Sequence, residues 1–241
     1  MGNAPGIGLI NEGSLHAAIK ARLAQPGDRL EMPVDGFIVD IVREGLLIEV
    51  QTTNFAAIRH KLYQLTQKHP LLLVTPIAQT KQIVQLAPEG NAVLSRRRSP
   101  KRGYITDLFN QLVRIPDLLA RPNFGLQVWL IEMEEVRRND GKGSWRRGGV
   151  SIIDRRLVEV RQRFTFQGAD DLLTLLPDTL PQPFTNRDLA QAGTMSLLTA
   201  RRMTYCLRQL NLLSEVDKVS HMPRFSIKAP VPTTNKENHI I

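Results

Sequence analysis

Two apolar runs on either side of a Glu-Gly pair are the feature that most restricts how this chain can fold. Residues 37–42 (FIVDIV) and 46–50 (LLIEV) are rich in β-branched and other apolar side chains, which favours buried strands at this length. Glu44-Gly45 between them predicts a tight two-residue turn. Because such a turn leaves its flanking strands side by side, this stretch predicts an antiparallel hairpin.

The register of the hairpin brings two carboxylates together. Counting outward from a two-residue turn pairs Arg43 with Leu46, Val42 with Leu47, Ile41 with Ile48 and Asp40 with Glu49. Gln51 lies two residues beyond Glu49 and therefore projects from the same face. Carboxylates opposed within apolar strands repel each other, so something must compensate their charge.

A hard divalent cation is the simplest compensation for these carboxylates. Mg²⁺ prefers oxygen ligands and usually takes one or two carboxylates together with water and phosphate. The predicted ligands are Asp40, Glu49 and the backbone carbonyl of Val50, with the side-chain amide of Gln51 as a further oxygen. Glu12, at the start of a predicted first helix, is another candidate carboxylate. The spacing leaves open that the carboxylates pair with an arginine or lie at a solvated hairpin end, and a longer turn would break the register.

The segments on both sides of the hairpin favour helices and a further strand. Apolar residues near helical spacing predict a first helix within residues 9–23, which Pro26-Gly27 ends. Apolar positions between residues 55 and 65 mark one face of a second helix. Residues 71–75 (LLLVT) then predict a buried strand. The order helix, hairpin, helix, strand is typical of an α/β fold.

The acidic and amide residues along this stretch match a nuclease pattern. In chain order they are Glu12, Asp40 and Glu49-Val50-Gln51, followed by a helix from about Phe55. They resemble the PD-(D/E)XK nuclease superfamily, whose pattern E…D…(D/E)-x-K lies on the same helix–hairpin–helix–strand core. The resemblance covers residues 9–78 and implies a restriction-endonuclease-like mixed sheet flanked by helices. It also implies Mg²⁺- or Mn²⁺-dependent hydrolysis of phosphodiester bonds in DNA, with Asp40 and Glu49 holding the metal.

One position departs from the superfamily pattern. Gln51 stands where the pattern has a lysine that helps to orient or activate the attacking water. The resemblance implies that some restriction endonucleases tolerate glutamine here. It equally allows a catalytically inactive nuclease fold that serves as a DNA-binding or adaptor protein. Lys61, on the second predicted helix, could replace the charge if it points inward, and a solvated helix lysine is the alternative.

The chain is basic, and its charge is clustered. It has 32 Lys and Arg against 23 Asp and Glu, a formal charge of +9. Proteins with this balance often bind a polyanion, so the charge favours a nucleic-acid partner, and a basic protein without such a partner is the alternative. One cluster consists of Arg96, Arg97, Arg98, Lys101 and Arg102. Solvated basic loops are the alternative for such clusters, and steep salt dependence of binding would separate DNA contacts from an apolar protein interface.

The middle of the chain predicts a basic β-hairpin that extends the core. Residues 126–138 and 150–166 favour extended structure, and residues 139–149 (NDGKGSWRRGG) between them have turn chemistry. Its candidate contacts with nucleic acid are Lys142, Trp145, Arg146 and Arg147. Residues 104–119 favour a helix with a break at Ile115-Pro116.

The C-terminal segment resembles a winged helix-turn-helix domain. Thr185 caps a short helix, residues 193–196 form the turn, residues 197–212 the recognition helix and residues 215–228 the wing. We expect Leu198, Met203, Leu207 and Leu210 to face the core. The resemblance implies that the recognition helix enters the major groove of DNA, with Arg201, Arg202 and Arg208 as its basic candidates. Contact with another protein is the alternative.

Composition sets the remaining expectations. The predicted domains are a nuclease-like core in 1–90, a basic extension of that core in 91–176, a winged helix in 177–230 and a disordered tail in 231–241. The single cysteine, Cys206, excludes an internal disulfide framework and is expected in the core. No apolar run approaches the length of a membrane span. We therefore expect a cytoplasmic protein without membrane contact. The two resemblances imply a DNA partner, and cleavage of both strands would favour a homodimer or a partner subunit.

Overall fold

The structure, a computed structural model, describes residues 13–228 of the chain. Its helices are α1 (Ser14–Leu23), α2 (Phe55–Leu65), α3 (Phe109–Leu112), α4 (Asn186–Ala192) and α5 (Leu197–Gln209). Its strands are β1 (Arg29–Val34), β2 (Phe37–Arg43), β3 (Leu46–Val50), β4 (Leu71–Leu86), β5 (Val93–Arg98), β6 (Phe124–Asn139), β7 (Val150–Phe166), β8 (Phe184–Thr185), β9 (Leu213–Val219) and β10 (Met222–Ile227). Within this range no helix combines the length and the apolar character that crossing a bilayer needs.

A mixed sheet of seven strands forms the centre of the molecule. Its order is β1-β2-β3-β4-β6-β7, and β5 pairs with β4 off this path. The first three strands are antiparallel neighbours, β3, β4 and β6 run parallel, and β6 and β7 form the expected long hairpin. The expected boundary after residue 90 falls between β4 and β5, which pair with each other. The protein is therefore a mixed α/β fold with a large mixed sheet flanked by helices.

The two faces of the sheet are covered by different helices because apolar side chains alternate along the strands. On one face, Ile41 and Ile48 pack with Ile19 of α1. On the other face, Leu47 packs in a cluster that includes Leu62 of α2. Each such side chain contributes about 2 kcal/mol when it is fully buried. A register slip by one residue would turn both sets to the wrong face, so the two clusters together specify the register.

The hairpin of β2 and β3 has the expected turn and most of the expected register. Glu44 and Gly45 both have positive φ, 45° and 90°, as a type I′ two-residue turn requires. The ladder pairs are Arg43 with Leu46, Val42 with Leu47 and Ile41 with Ile48, as predicted. The fourth predicted pair, Asp40 with Glu49, is wrong as a ladder pair. The ladder ends at Ile41, and side chains take over where the backbones part.

Three parts of the fold differ from the sequence-based prediction. Strand β1 has no counterpart in that prediction, and it joins β2 through Asp35-Gly36, whose φ angles of 46° and 84° form a second tight turn. Strand β4 extends well beyond the predicted residues 71–75 because β6 pairs with it along its length. Residues 104–119 form short 3₁₀ and α turns instead of one helix. Pro116 disfavours helical backbone at Ile115, so one continuous helix cannot form, although the apolar side chains of the segment still enter one buried cluster.

The C-terminal residues share the core of the rest of the chain. Strands β8, β10 and β9 form a separate three-stranded sheet beside α4 and α5. Met203 and Leu207 of α5 belong to the same buried cluster as Phe109 and Leu112 of α3. Leu198, expected in the core, is instead 55% exposed. It lies five residues before Met203, which places it on a different face of the helix.

Helix α4 begins at the predicted cap. The hydroxyl oxygen of Thr185 accepts the backbone N–H groups of Arg187 and Asp188, at 3.2 and 3.3 Å. In return the Asp188 carboxylate accepts the backbone N–H of Thr185 at 2.8 Å. This reciprocal capping box satisfies N–H groups that have no partner inside the helix, and it fixes where the C-terminal helices start.

Cys206 tests how tightly α5 is packed. Its side chain is fully buried, and burial raises the pKa of the thiol to about 12. At about pH 8 the native thiol is protonated and shielded, so we expect Ellman's reagent to modify it only as fast as α5 opens. In guanidinium chloride the thiol should react at once.

The neighbouring position offers a matched control for this measurement. Tyr205 is 47% exposed, so the double variant Tyr205→Cys/Cys206→Ser carries an accessible thiol one residue away. We expect this variant to react rapidly without denaturant. Native Cys206 reacting as fast as that control would show that α5 is not packed as described.

Candidate functional site

Asp40 and Glu49 lie where β2 and β3 part, and each binds the backbone of the opposite strand. Oδ2 of Asp40 accepts the N–H of Val50 at 2.8 Å. Oε1 of Glu49 accepts the N–H of Asp40 at 3.3 Å. Side-chain hydrogen bonds therefore replace the backbone ladder at this point. The two carboxylates are brought together as the sequence predicts, although through side-chain bonds to the backbone and not as a ladder pair.

Two basic side chains reach this pair from different helices. Nε2 of His16, on α1, lies 3.2 Å from Oδ2 of Asp40. Nζ of Lys61, on α2, lies 2.5 Å from Oε1 of Glu49, and it also donates to the carbonyl oxygen of Ile38. The Lys61 side chain is only 15% exposed. Its ammonium group thus points inward to the carboxylates and not to solvent.

Burial and charge shift the two acidic groups in opposite directions. Burial raises the pKa of the Glu49 carboxyl to about 7; the Asp40 carboxylate adds to this shift and Lys61 opposes it. Burial also acts to raise the pKa of Asp40, but His16, the Val50 N–H and Lys61 together more than offset it, so this pKa lies below its usual value. Asp40 is therefore ionised at neutral pH, whereas Glu49 is poised between its two protonation states.

Gln51 is placed differently from the expectation. Its side-chain amide nitrogen donates to the carbonyl oxygens of Thr53 and Asn54. Its own backbone carbonyl accepts the hydroxyl of Thr75 at 2.7 Å. These contacts close the turn that leads into α2, where Asn54 adopts a positive φ of 53°. The amide nitrogen of Gln51 is thus used in shaping the loop.

The donor set of this site fits a hard divalent cation. The hydrogen bonds described above use Oδ2 of Asp40 and Oε1 of Glu49, and within residues 13–228 the second oxygen of each carboxylate accepts none. Two carboxylates, with water or phosphate oxygens completing the shell, suit Mg²⁺. Within residues 13–228 no third His, Cys, Asp or Glu joins these two carboxylates to complete a metal site made of protein ligands alone. Glu12, the expected further carboxylate, lies outside the described residues.

The basic residues of β5 and of the β6–β7 hairpin are mostly exposed. Arg96 pairs with Glu134 across the sheet, whereas Arg97, Arg98, Lys101 and Arg102 are exposed. At the tip of the hairpin, beside the exposed Lys142, Trp145 is 83% exposed. The guanidinium group of Arg146 lies 5.5 Å from the centre of its ring, and Arg147 donates to the carbonyl of Val150. Trp129, by contrast, is fully buried.

The three arginines expected to read DNA from α5 have different surroundings. Arg201 is exposed and lines a cleft of about 260 Å³ with Arg187 and His221. Arg202 instead donates to Oδ1 of Asn110 at 2.6 Å, so it is directed toward the core. Arg208 pairs with Glu215 at 3.7 Å on the following strand. Among the three, Arg201 alone has no carboxylate or side-chain partner within the described part of the chain.

Sequence reasoning missed His16. Its contact with Asp40 joins residues 24 positions apart on a helix and a strand, and no spacing rule connects the two. The available signal was that His16 lies near the start of the first predicted helix, four residues after Glu12.

The Lys61–Glu49 pair can be tested through stability. Replacing the lysine in Lys61→Met leaves Glu49 buried beside Asp40 without its cation, and we expect the free energy of unfolding to fall by about 2 kcal/mol or more. Adding Glu49→Gln to this variant removes the uncompensated charge and should restore part of the loss. Denaturant unfolding of the wild type, the two single variants and the double variant measures the coupling.

Lys68 is the matched control for this cycle. It lies 3.4 Å from Asp35, but its side chain is 69% exposed. Lys68→Met should therefore change stability by no more than about 0.5 kcal/mol. A loss for Lys61→Met no larger than this would contradict the buried pair.

Comparison with known proteins places the chain in a family. A protein of Treponema pallidum (strain Nichols), described as "Uncharacterized protein", is 32% identical over 189 residues, which cover 78% of this chain and 75% of that protein. No solved structure gives a significant match. Residues 13–167, from α1 to the end of β7, match the family described as "Domain of unknown function (DUF8091)". This match spans more than half of the chain and includes Asp40, Glu49 and Lys61, so the protein belongs to the DUF8091 family.

Proposed function

We propose that this protein is a metal-dependent DNA endonuclease whose active site is built on Asp40 and Glu49. The observation that carries the proposal is the placement of two carboxylates in the gap between β2 and β3, with the Lys61 ammonium beside Glu49. Oppositely shifted pKa values in a cluster of buried acids are typical of functional sites. A purely structural role would be served better by an apolar pair.

The order of elements supports a restriction-endonuclease-like core. Helix α1, the antiparallel strands β1 to β3, helix α2 and strand β4 parallel to β3 follow the helix–hairpin–helix–strand order of the PD-(D/E)XK superfamily. Asp40 on the second strand and Glu49 at the end of the third occupy the acidic positions of that pattern. The positive charge comes from α2 and not from the position of Gln51.

Each residue of the site has a definite task in this mechanism. When bound, Mg²⁺ would neutralise charge on the scissile phosphate and lower the pKa of a bound water. Asp40 and Glu49 would hold the cation. His16 orients the Asp40 carboxylate. Lys61 stabilises negative charge that develops on the phosphate, the role that the superfamily assigns to the lysine of its motif.

The rest of the molecule supplies surfaces that suit DNA. The two C-terminal helices with the β9–β10 hairpin support the winged-helix resemblance, and Arg201 is exposed on the helix that would read the major groove. The tip of the β6–β7 hairpin adds Trp145 and Arg146, which suit stacking and phosphate contact. A basic hairpin and a basic helix attached to one rigid core could contact separate stretches of a duplex.

A second candidate function rests on Gln51. Because its amide nitrogen is engaged by loop carbonyls, the motif position itself contributes no charge and little freedom to orient water. A catalytically inactive nuclease fold that binds DNA would have the same basic surfaces without needing Lys61 for chemistry. Cleavage assays separate the two functions.

The first test of catalysis replaces each carboxylate by its amide. We expect Asp40→Asn and Glu49→Gln each to lower Mg²⁺- or Mn²⁺-dependent cleavage of plasmid and branched DNA by about a hundredfold or more, because each removes a charged metal ligand. DNA affinity, measured separately in Ca²⁺ or chelator, should stay within a few-fold of the wild type.

Asp35→Asn controls for loss of a surface charge, since Asp35 lies in the turn between β1 and β2 and pairs with Lys68 and His69. This control should cleave like the wild type. Wild-type protein that binds every DNA substrate but cleaves none would favour the inactive scaffold.

Salt dependence tests whether the basic surfaces contact phosphates. Arg201→Gln and Arg146→Gln should each weaken DNA binding and lower the slope of log K against log salt by about 1, since one phosphate contact is lost. Fluorescence anisotropy over a range of salt concentrations gives both quantities. Lys68→Gln should leave the slope unchanged, and a wild-type affinity that does not vary with salt would exclude the DNA interface.

A further inference from the structure

A polar cavity of about 400 Å³ lies on the large sheet, and it shares no residue with the carboxylate site. Its walls come from β4, the end of β5 and the segment that follows it, β6 and β7. The lining side chains that matter here are Thr80, Lys81, Arg98, Arg102, Glu132 and Arg161. All of them are polar or charged, so the cavity suits a hydrophilic ligand.

A break in the β4–β6 ladder shapes this cavity. The register shifts between Ala78 and Thr80, which leaves Gln79 as an extra residue in β4. Such a bulge re-aims the side chains that follow it. After the shift, Thr80 lies opposite Glu132, and Gln82 lies opposite Arg98 of β5.

The segment after β5 closes the cavity and is held tightly to β4. The N–H of Ser99 donates to the carbonyl of Lys81 at 2.8 Å, and the N–H of Gly103 donates to the carbonyl of Ala78 at 3.0 Å. A Cβ at position 103 would lie 2.5 Å from that Ala78 oxygen, so only glycine permits the approach. Arg102 is thereby held at the wall of the cavity.

Thr80 is left without a partner at this point. Its hydroxyl oxygen is buried and makes no hydrogen bond with any residue of the described range, where Arg138 Nε is the other such side-chain atom. A buried hydroxyl without a partner destabilises a fold. Thr80 also lines the cavity, so rotation about χ1 would turn this enclosed hydroxyl to a ligand oxygen there.

The charges around the cavity are unequally compensated. Arg161 pairs with Glu132 at 2.6 Å and with Glu159 at 3.0 Å, and Lys81 pairs with Glu135 at 3.2 Å. Arg98 and Arg102 have no carboxylate partner among residues 13–228. Two guanidinium groups are therefore available, which matches an anion with two negative charges.

We propose that this cavity binds a terminal phosphate group, carried by a nucleotide or by the end of a DNA strand. A terminal phosphate carries about two negative charges at neutral pH and has three acceptor oxygens, whereas an internal phosphodiester carries one charge. Arg98 and Arg102 bind two of the oxygens, and the hydroxyl of Thr80 donates to the third. The proposal does not depend on the carboxylate site or on catalysis.

Calorimetric titration of the full chain in the presence of a chelator tests the cavity without any cleavage. The ligands are ADP and one short single-stranded oligonucleotide with and without a 5′-phosphate. We expect ADP, the phosphorylated strand or both to bind. If the strand end is the source of the phosphate, the phosphorylated strand should bind at least about tenfold more tightly than its unphosphorylated form. Binding of ADP alone identifies a nucleotide as the source.

Neighbouring arginines of β5 give a matched set of variants. Arg98→Gln and Arg102→Gln should each weaken the binding of the phosphorylated ligand by about tenfold. Arg97→Gln removes the same charge one residue away, on the opposite side of β5 and outside the cavity lining, and should stay within about twofold of the wild type. Equal losses for Arg97→Gln and Arg98→Gln would show a diffuse charge effect and overturn the proposal, as would failure of all the ligands to bind.

Thr80→Val separates the ligand contact from folding. Valine has nearly the shape of threonine and removes the unpartnered hydroxyl, so we expect the melting temperature without ligand to be unchanged or raised. Affinity for the terminal phosphate should fall by about threefold to tenfold. Unchanged affinity would overturn the assignment of this hydroxyl to the ligand.

Discussion

The parallel ladder between β4 and β6 connects both ends of this molecule. It begins with Leu71 beside Phe124 in the buried core and continues to Leu86 beside Arg138, far out on the basic hairpin. At the buried end, β3 pairs with β4 and so places Glu49 opposite Leu73. At the outer end, β5 pairs with the same strand. A change in the register of β4 would therefore move the carboxylate site and the phosphate cavity together.

Two buried carboxylates show how differently this fold treats acidic groups. Burial acts to raise the pKa of Glu135, but Arg137 and Lys81 hydrogen-bond to it and hold the pKa below its usual value. Burial raises the pKa of Glu49 to about 7 because Asp40 lies beside it and Lys61 is the one cation that opposes the shift. The basic partners of Glu135 thus more than offset the effect of burial on its pKa, as is typical of an ion cluster with a structural role. At Glu49, by contrast, Lys61 does not offset burial and the neighbouring Asp40, so this carboxyl keeps a raised pKa.

The basic side chains likewise differ in whether a carboxylate pairs with them. Arg96 and Arg161 are held by carboxylates on β6, whereas Arg98, Arg102 and Arg201 have no such partner in the described range. Cations that are already paired contribute little to binding a polyanion. The unpaired ones are the cations that remain available to a polyanion.

Much of the fold follows from local sequence. The Glu44-Gly45 turn, helix α2, the long β6–β7 hairpin and the Thr185 cap were all predictable, because each depends on residues that are close in the chain. Leu198 was predicted on the wrong face, and Arg202 is directed to Asn110 instead of outward. Those outcomes depend on how α5 packs against α3, which helical spacing alone does not specify.

By itself the sequence indicated that Asp40 and Glu49 would be neighbours, because a two-residue turn at Glu44-Gly45 sets that register and period-two alternation keeps the apolar positions on the buried faces. It also determined the basic clusters and the apolar faces that bury the sheet. Only the tertiary structure decided what surrounds those carboxylates: His16 from α1, Lys61 from α2, and a ladder that ends one pair early. It likewise decided which arginines are paired. Contacts between residues far apart in the chain come from the packing of whole elements, and burial then sets the energy of each charge through the partners that packing provides.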